Sequence, residues 1–169
     1  DFFFSAKRAD KAAQRNQGKV VVWAGREKGR LARTIAAARS PVARMEDGFV
    51  RSQGLGALFM SANSLVTDEC GIYFDPSRPS QLETLLQAGG FDDALLQRAQ
   101  LLRRKLTVAG LSKYNLWGES EELANLPAGN PRLLVVGQVE DDASVRLGCG
   151  DGPGDIRTNA ALLKAVRHA

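Results

Sequence analysis

The sequence predicts an α/β fold, in which helices cover both faces of a mostly parallel sheet. Short β-branched runs alternate with segments that carry apolar residues at helical spacing, and this alternation is typical of βαβ units. The chain has 169 residues, of which 44% are apolar and 25% charged. Because these values are ordinary for a globular protein with one core, we expect residues 1–169 to form a single domain, with residues 1–17 as an N-terminal helix or extension.

The first predicted unit is a strand, a helix and a second strand. Residues 18–25 (GKVVVWAG) are a β-branched run bounded by glycines, which indicates a buried parallel strand. Residues 28–40 (KGRLARTIAAARS) carry apolar side chains at helical spacing. Residues 41–49 (PVARMEDGF) predict the second strand, which ends at the turn signal Asp47–Gly48. A crossover between parallel strands is expected to be right-handed.

The rest of the chain predicts further strands and helices. Residues 64–76 (SLVTDECGIYFDP) indicate two short strands around a turn at residues 69–71, where Asp68 and Asp75 serve turns. Ser80 and Glu83 have the spacing of a capping box, so we expect a helix there that ends at Gly89–Gly90. The remaining segments are a helix over residues 91–110, a polar connector over 111–131, a buried strand over 132–138 (RLLVVGQ) and a closing helix over 158–169.

Composition and charge exclude several classes of protein. The net charge is +4, but no nucleic-acid-binding module accompanies the bases, so we expect no nucleic-acid partner; anionic lipids, phosphates or acidic sugars suit them equally. No run reaches the ~20 apolar residues of a membrane span, and residues 1–17 lack a signal peptide's apolar core, so we expect a cytoplasmic protein. Cys70 and Cys149 are expected to be free thiols, and the single histidine, His168, argues against a histidine-based metal site.

Two acidic clusters each follow a predicted strand. They are Glu46-Asp47-Gly48 and Glu140-Asp141-Asp142. Ligands of open α/β sheets bind outside the carboxyl ends of the strands, so the clusters face one another if the two strands are near neighbours. Opposed carboxylates are what glycosyl transfer uses, one as acid or base and the other as nucleophile or base. The alternative is that the acids form turns and cap helices.

Weaker candidates lie in two loops. Residues 25–29 (GREKG) are only loosely similar to a phosphate-binding turn, since they lack a complete glycine-rich motif. Residues 112–115 (SKYN) place Lys113, Tyr114 and Asn115 in one polar segment. This segment either binds a sugar or phosphate or is only an exposed part of a loop.

Several ordered segments resemble the KpsC family of capsule polysaccharide biosynthesis/export proteins. They are ARMEDGFVRSQGLGA, SLVTDECGIYFDPSRPSQLETLL, SKYNL and GQVEDDASVRLG with IRTNAALLKAVR, and the likeness runs from about residue 19 to residue 167. Members of that family carry retaining β-Kdo glycosyltransferase modules, where Kdo is an acidic octulosonate sugar. The sequence QVEDDAS is similar to the corresponding segment in the second of the two modules that such proteins usually carry.

The resemblance implies a GT-B-type architecture of two Rossmann-like domains. This chain would be one half of it, a truncated module with a Rossmann-like, acceptor-side domain whose C-terminal donor-binding domain is missing. The implied donor substrate is CMP-Kdo, with no cofactor and no metal. The implied acceptor is a phospholipid-linked oligo-Kdo linker, which would make the protein peripheral at the inner membrane. The family segments that hold the nucleotide are absent from this sequence, so we expect the chain alone to be inactive.

The resemblance also implies residue roles. Asp142 would be the nucleophile of a double displacement, with Asp141 and then Glu140 as alternates. The Glu-Asp-Gly motif is similar to that of bacterial sialyltransferases, so Glu46, with Asp47 next, would handle the acceptor's proton. The expected substrate-binding residues are Gly48, Arg51, Ser52, Lys113, Tyr114, Asn115, Gln138, Ser144, Arg157 and Asn159. Among these, Ser144, Gln138 and Arg157 would offset the mutual repulsion of the acids, and Arg51, Lys113 and Arg157 would contact anionic groups.

Two other functions remain open from the sequence. A non-catalytic docking domain of a membrane-associated capsule assembly or export complex would use the same basic helices to meet lipid or a partner. A nucleic-acid-binding α/β domain rests on the positive charge alone.

Overall fold

Helices and strands alternate over the first 47 residues, as the sequence predicts, whereas among the described residues only helices follow the third strand. In the computed structural model the described residues are 1–54, 60–116, 132–150 and 156–168. Their elements are α1 (Ala6–Arg15), β1 (Val20–Trp23), α2 (Gly29–Ala36), β2 (Val42–Asp47), β3 (Leu65–Asp68), α3 (Gln81–Ala88), α4 (Asp93–Val108), α5 (Ala143–Gly148) and α6 (Asn159–His168). They belong to two compact units, residues 1–115 and 116–169. The α/β class is therefore confirmed.

The first unit contains a three-stranded sheet in the order β1-β2-β3. Strands β1 and β2 are parallel, with Val20 opposite Val42 and Trp23 opposite Met45. Strands β2 and β3 are antiparallel. The predicted βαβ unit is therefore correct, but the sheet is mixed rather than mostly parallel. The physical reason is that the chain from β2 to β3 carries no helix among its described residues, and an antiparallel return needs no crossover helix.

The core lies between one face of the sheet and helices α1 and α2. Val20 and Val22 point to this face, since alternate strand residues share a face, and they pack with Ala13 of α1 and Ile35 of α2. Val21 points the other way and is 51% exposed. Ala43, which shares that face by register, is 3% exposed, so the second face is covered at the central strand, and the prediction that helices cover both faces stays a prediction.

A carboxylate ties α1 to the end of α2. Asp10 Oδ1 accepts hydrogen bonds from the backbone N–H groups of Ser40 (2.9 Å) and Arg39 (3.2 Å). The Ser40 N–H, followed by the Ser40 side chain, Arg39 and Gln14, lowers the pKa of Asp10 from 3.8 to about 2, against a smaller raising effect of desolvation. Asp10 is therefore charged at any physiological pH, and its charge is engaged by backbone donors.

A second carboxylate, which is buried, organises the turn after β3. Asp68 is 3% exposed. Its Oδ1 accepts from the N–H groups of Cys70 and Gly71 at 2.8 Å, and its Oδ2 accepts from the N–H of Gln81 at 2.7 Å. The predicted turn role of Asp68 is confirmed. The second strand predicted after this turn is wrong, because residues 72–75 curl into another turn, in which the Asp75 N–H donates to the Ile72 carbonyl.

The capping box at the start of α3 is confirmed. The Ser80 Oγ accepts from the Glu83 N–H at 3.1 Å, and Glu83 Oε2 accepts from the Ser80 N–H at 2.8 Å. Helix α4 also forms where the sequence predicts it. Its predicted apolar stripe is not buried, however, since Leu95 and Leu102 are 44% and 55% exposed.

The second unit contains α5 and α6 but no strand among its described residues. The predicted strand over residues 132–138 is wrong: Leu133 and Leu134 are 71% and 89% exposed, and no described segment pairs with this run. Extended apolar sequence becomes a strand only when a neighbouring strand accepts its hydrogen bonds. Residues 117–131 of the predicted connector lie outside the described residues.

No helix in the described part of the chain has the length and apolar character that crossing a membrane requires. The two cysteines, Cys70 and Cys149, are free thiols as predicted.

Candidate functional site

Glu46 is held at the carboxyl end of β2. Its Oε2 accepts a hydrogen bond from the backbone N–H of Gly25 at 2.9 Å, and its Oε1 lies 3.2 Å from the N–H of Asp47. Gly25 reaches it because β1 ends two residues earlier at Trp23, which is opposite Met45 in the parallel pair. The carboxyl ends of parallel strands meet at one edge, so the loop after β1 supplies the donor. Both oxygens of the Glu46 carboxylate therefore have a defined orientation.

The loop that supplies this donor is itself fixed by an ion pair. Glu27 Oε2 lies 2.8 Å from Arg44 Nε, and Glu27 Oε1 accepts from Arg44 Nη2 at 2.8 Å. Both side chains are largely buried, at 14% and 9% exposure. A bidentate pair of this kind is among the stronger polar contacts in proteins. Residues 25–29 therefore act here as the support of Glu46.

Asp47 faces Arg51 within the protein. The Asp47 Oδ2 lies 2.7 Å from the Arg51 Nε, at the distance of an ion pair but without the alignment of a hydrogen bond. The other oxygen, Oδ1, is buried and has no hydrogen-bond partner among the described residues. Arg51 also donates from Nη1 to the Ser52 Oγ and to the Met60 carbonyl, each at 2.9 Å. Arg51 is thus a buried structural cation in this structure.

Gly48 allows β2 and the chain before β3 to approach closely. Its N–H donates to the Ser64 carbonyl at 2.9 Å. A Cβ at this position would lie 2.9 Å from the Ser64 carbonyl carbon and 2.8 Å from the Ser64 Cβ. A residue with a Cβ therefore does not fit at position 48 unless Ser64 moves. This close approach carries the chain directly past the end of β2, where Glu46 and Asp47 lie.

The SKYN segment packs against the loop that follows β2. The Lys113 carbonyl accepts from the N–H groups of Arg51 (2.8 Å) and Ser52 (3.2 Å), and the Tyr114 carbonyl accepts from the Gly54 N–H at 2.6 Å. The Asn115 Nδ2 donates to the Ser52 carbonyl at 2.9 Å. The structure therefore brings together two predicted sets that are far apart in sequence, Arg51 with Ser52 and the polar segment at 113–115.

Side chains of this segment are also ordered. Asn115 has φ of 48°, and its Oδ1 accepts from the Ser112 N–H at 2.8 Å. The Lys113 Nζ lies 5.3 Å from the centre of the Tyr114 ring, within the range of a cation–π contact. Ser52 is 3% exposed, and its hydroxyl donates to the Gly54 carbonyl at 2.7 Å.

In the second unit, Asp142 caps helix α5. The Asp142 Oδ1 accepts from the Ser144 N–H at 2.8 Å and from the Ser144 hydroxyl at 2.6 Å. Ser144 is therefore a donor to the acidic cluster, as predicted. The neighbouring Asp141 contributes its carbonyl, which accepts from the Arg146 Nε at 3.2 Å.

Four other predicted residues lie at or near the start of α6. Glu140 Oε1 accepts from the Asn159 N–H at 2.8 Å. The Asn159 side chain pairs with the backbone of Gln138, accepting from its N–H and donating to its carbonyl, each at 2.9 Å. The Arg157 guanidinium donates from Nε to the Gly150 carbonyl at 2.8 Å. Glu140 thus acts as a helix cap in this structure.

The predicted site residues fall into two parts, each described within its own unit. Glu46, Asp47, Gly48, Arg51, Ser52 and residues 113–115 form the first part, and Asp142 with Ser144 forms the second. The convergence of the two acidic clusters on one crevice stays a prediction. Among the described residues, no three His, Cys, Asp or Glu side chains gather as a metal site requires.

Sequence reasoning missed the support of this site. Gly25, Glu27, Arg44 and Ser64 position the acids or the chain beside them, yet none belongs to the predicted set. The GREKG segment is a candidate because of its glycines and charges. Its Gly25, however, donates to Glu46, which is 21 residues further along the chain, and this contact follows only from the parallel register of β1 and β2. Arg44 in the middle of a predicted buried strand is the one available signal, because a buried cation requires an acidic partner.

Two solved structures are similar to this chain, both described as KpsC of Thermosulfurimonas dismutans. The β-Kdo 2,4 transferase is 34% identical with a TM-score of 0.66, over 76% of this chain and 40% of that one. The β-Kdo 2,7 transferase is 31% identical with a TM-score of 0.65, over 98% and 49%.

The chain belongs to the capsule polysaccharide biosynthesis protein family, which matches residues 18–126. It is 39% identical over 168 residues to the capsule polysaccharide modification protein LipA of Neisseria meningitidis serogroup A, covering 99% of this chain and 23% of LipA. It is 51% identical over 112 residues to the lipopolysaccharide-processing protein LpsZ of Rhizobium meliloti, covering 64% and 25%. The predicted resemblance to KpsC is thus confirmed, and the chain spans about a quarter of the length of these curated relatives.

Proposed function

We propose that this chain is the acceptor-side part of a β-Kdo glycosyltransferase module of the GT-B type. In the full-length protein it would help transfer Kdo from CMP-Kdo to a phospholipid-linked oligo-Kdo linker at the cytoplasmic face of the inner membrane. The observation that carries this proposal is the likeness to a solved β-Kdo transferase over 98% of the chain. Membership of the capsule polysaccharide biosynthesis family supports a role of this chain in making capsular polysaccharide. The donor-binding domain would be supplied from outside these 169 residues, so the chain alone is expected to be inactive.

The proposed reaction is a retaining double displacement. An Asp142 oxygen attacks the anomeric carbon of Kdo, and the bond to CMP breaks with its electron pair leaving on CMP. An acceptor hydroxyl then attacks the same carbon while Glu46 takes its proton, and the carboxylate of Asp142 leaves with its electron pair. Two inversions at one carbon give net retention. The two hydrogen bonds from Ser144 to Asp142 support this role, since they fix the orientation of the attacking group.

The contacts favour Glu46 over Asp47 as the acceptor's base. Asp47 is engaged with Arg51, which is itself buried, and one Asp47 oxygen is shut away from solvent. Removal of Asp47 would leave a buried guanidinium without its counter-charge, which is a structural defect. Glu46 is oriented by backbone donors, which stay in place when its protonation changes. Asp47 with Arg51 would therefore hold the loop, and Glu46 would act on the proton.

The experiment separates the two chemical steps in the full-length protein. With CMP-Kdo and no acceptor, intact mass spectrometry should detect a Kdo adduct on Asp142. Asp142→Ala should abolish the adduct at this position and the transfer that this module catalyses. Glu46→Gln should lower transfer by about 10²–10⁴-fold, the usual contribution of a general base, while the adduct still forms. Asp93→Ala, an exposed carboxylate in the first turn of α4, is the control that should change neither.

Two results would contradict the proposal. If Asp142→Ala retains transfer, Asp142 is not the nucleophile, and a capsule-assembly docking domain without catalysis becomes the better account. If Glu46→Gln abolishes the adduct as well as transfer, then Glu46 acts before the acceptor does.

A further inference from the structure

A basic groove of about 630 Å³ lies between α1 and α2. Lys7 and Lys11 line it from α1, Arg30 and Arg33 from α2, and Arg39 from the segment after α2. Side chains three or four residues apart share one helix face, so the two basic stripes face each other across the groove. All five bases are exposed.

Nothing described in the protein neutralises these bases. Asp10 also lines the groove, but its carboxylate accepts from the backbone N–H groups of Arg39 and Ser40 and from the Gln14 side chain. None of the five bases forms an ion pair with any described residue. The groove therefore keeps a strong positive potential, which an anionic ligand would relieve.

The helix starts add to this potential. Neither α1 nor α2 has an acidic residue in its first turn. Instead, Lys7 lies in the first turn of α1, and Arg30 in that of α2. Bases at helix N-termini oppose the helix dipole, and acids are usually found there. This arrangement costs stability in the free protein, and bound anions would offset that cost.

The exposed phenylalanines at the start of the chain lie on another side of α1. Phe2 and Phe4 are 84% and 100% exposed and contact each other edge to face at 5.3 Å. Phe2 lines a separate hollow with Ala9 and Ala12, whereas the α1 bases Lys7 and Lys11 line the groove. The groove itself offers five exposed bases spread over two helices, which suits an extended anionic surface such as lipid headgroups.

We propose that the α1–α2 groove binds the phosphate-bearing headgroups of an anionic phospholipid bilayer. This proposal rests on the proposed function, because the acceptor of that function is carried by a membrane. The groove would be the surface by which the chain binds that membrane. Its test needs neither donor nor acceptor sugar, so the two proposals can fail separately.

The test is co-sedimentation of the purified 169-residue chain with vesicles of phosphatidylcholine and phosphatidylglycerol. We expect binding that weakens as salt rises, and none to phosphatidylcholine alone. Each base near an anionic surface contributes about a fivefold gain in affinity, so Lys11→Gln with Arg33→Gln should weaken binding about 25-fold. The matched control is Arg98→Gln with Arg104→Gln on α4, which makes the same charge change on exposed bases and should lose little.

Circular dichroism should show that both double variants stay folded. An equal loss in the α4 control would overturn the proposal, because net charge alone would then explain binding. Equal binding to neutral vesicles, or an unchanged affinity of the groove variant, would overturn it as well. So would a wild-type chain that binds inorganic phosphate or a soluble acidic oligosaccharide in the groove but no vesicle.

Discussion

Replacing Gly48 by alanine tests whether close packing holds the end of β2. The added Cβ would lie 2.8 Å from the Ser64 Cβ and 2.9 Å from its carbonyl carbon, whereas carbon atoms in contact are normally about 3.5–4.0 Å apart. The strands cannot simply separate, since the Gly48 N–H donates to the Ser64 carbonyl at 2.9 Å. Overpacking typically costs about 1–3 kcal/mol, and a lost hydrogen bond adds about 1 kcal/mol. We therefore expect a loss of about 2–4 kcal/mol in the free energy of unfolding.

The assay is urea unfolding followed by circular dichroism. Since the slope for a small protein is about 1–3 kcal/mol per molar urea, the midpoint should fall by roughly 1 M or more. Gly18→Ala is the matched control in the same unit, because a Cβ there meets only the Ala13 Cα at 4.0 Å. Its midpoint should stay or rise slightly. If Gly48→Ala behaves like Gly18→Ala, the close approach of the two segments does not exist in solution.

Two further predictions concern carboxylates that hold the fold. Asp68→Asn would present an amide N–H₂ to a backbone donor, most directly the Gln81 N–H that now lies 2.7 Å from Oδ2. The free energy of unfolding should therefore fall by about 1.5–3 kcal/mol. The same change at the exposed Asp93 should alter the free energy of unfolding by less than about 0.5 kcal/mol, and equal effects of the two substitutions would contradict the structure. The pKa of Asp10 lies at about 2, below its ordinary 3.8, chiefly because the Ser40 N–H donates to it. A lowered pKa stabilises the folded state above pH 4, and this stabilisation is lost as the pH falls towards 2. The urea midpoint of the wild type should therefore fall more between pH 4 and pH 2 than that of Asp10→Asn. If the midpoints of the two proteins change in parallel with pH, Asp10 does not accept the Ser40 hydrogen bond in solution.

The first βαβ unit could be predicted because its signals are local. The valines of β1 alternate between the core and the outside, and Ile35 falls on the face of α2 that meets them. The capping box at Ser80 was predictable for the same reason, since both partners lie within four residues. Glycine punctuation also indicated where β2 ends. Each of these features depends on neighbours in the sequence.

The errors occur where burial depends on a distant partner. The apolar run at residues 132–138 has the composition of a buried strand, but no described segment offers it hydrogen bonds, and Leu134 is 89% exposed. Leu102 of α4 shows the same for a helix, because its spacing predicts the element but not a surface to cover it. Similarly, the antiparallel direction of β3 depends on the course of the chain between strands, which periodicity does not encode.

The two acidic clusters show how far the rule of strand-end acids extends. At Glu46 the rule holds, because β2 is a strand with a parallel neighbour whose following loop supplies the Gly25 donor. At Asp142 no strand precedes the acids, and the alternative that such acids cap helices describes the contacts of Asp142 and Glu140. A cap does not argue against nucleophilic attack, since the donors that order a helix start also orient the carboxylate. The proposed role of Asp142 as nucleophile therefore rests on family resemblance more than the proposed role of Glu46 does, and detection of a covalent adduct would test it directly.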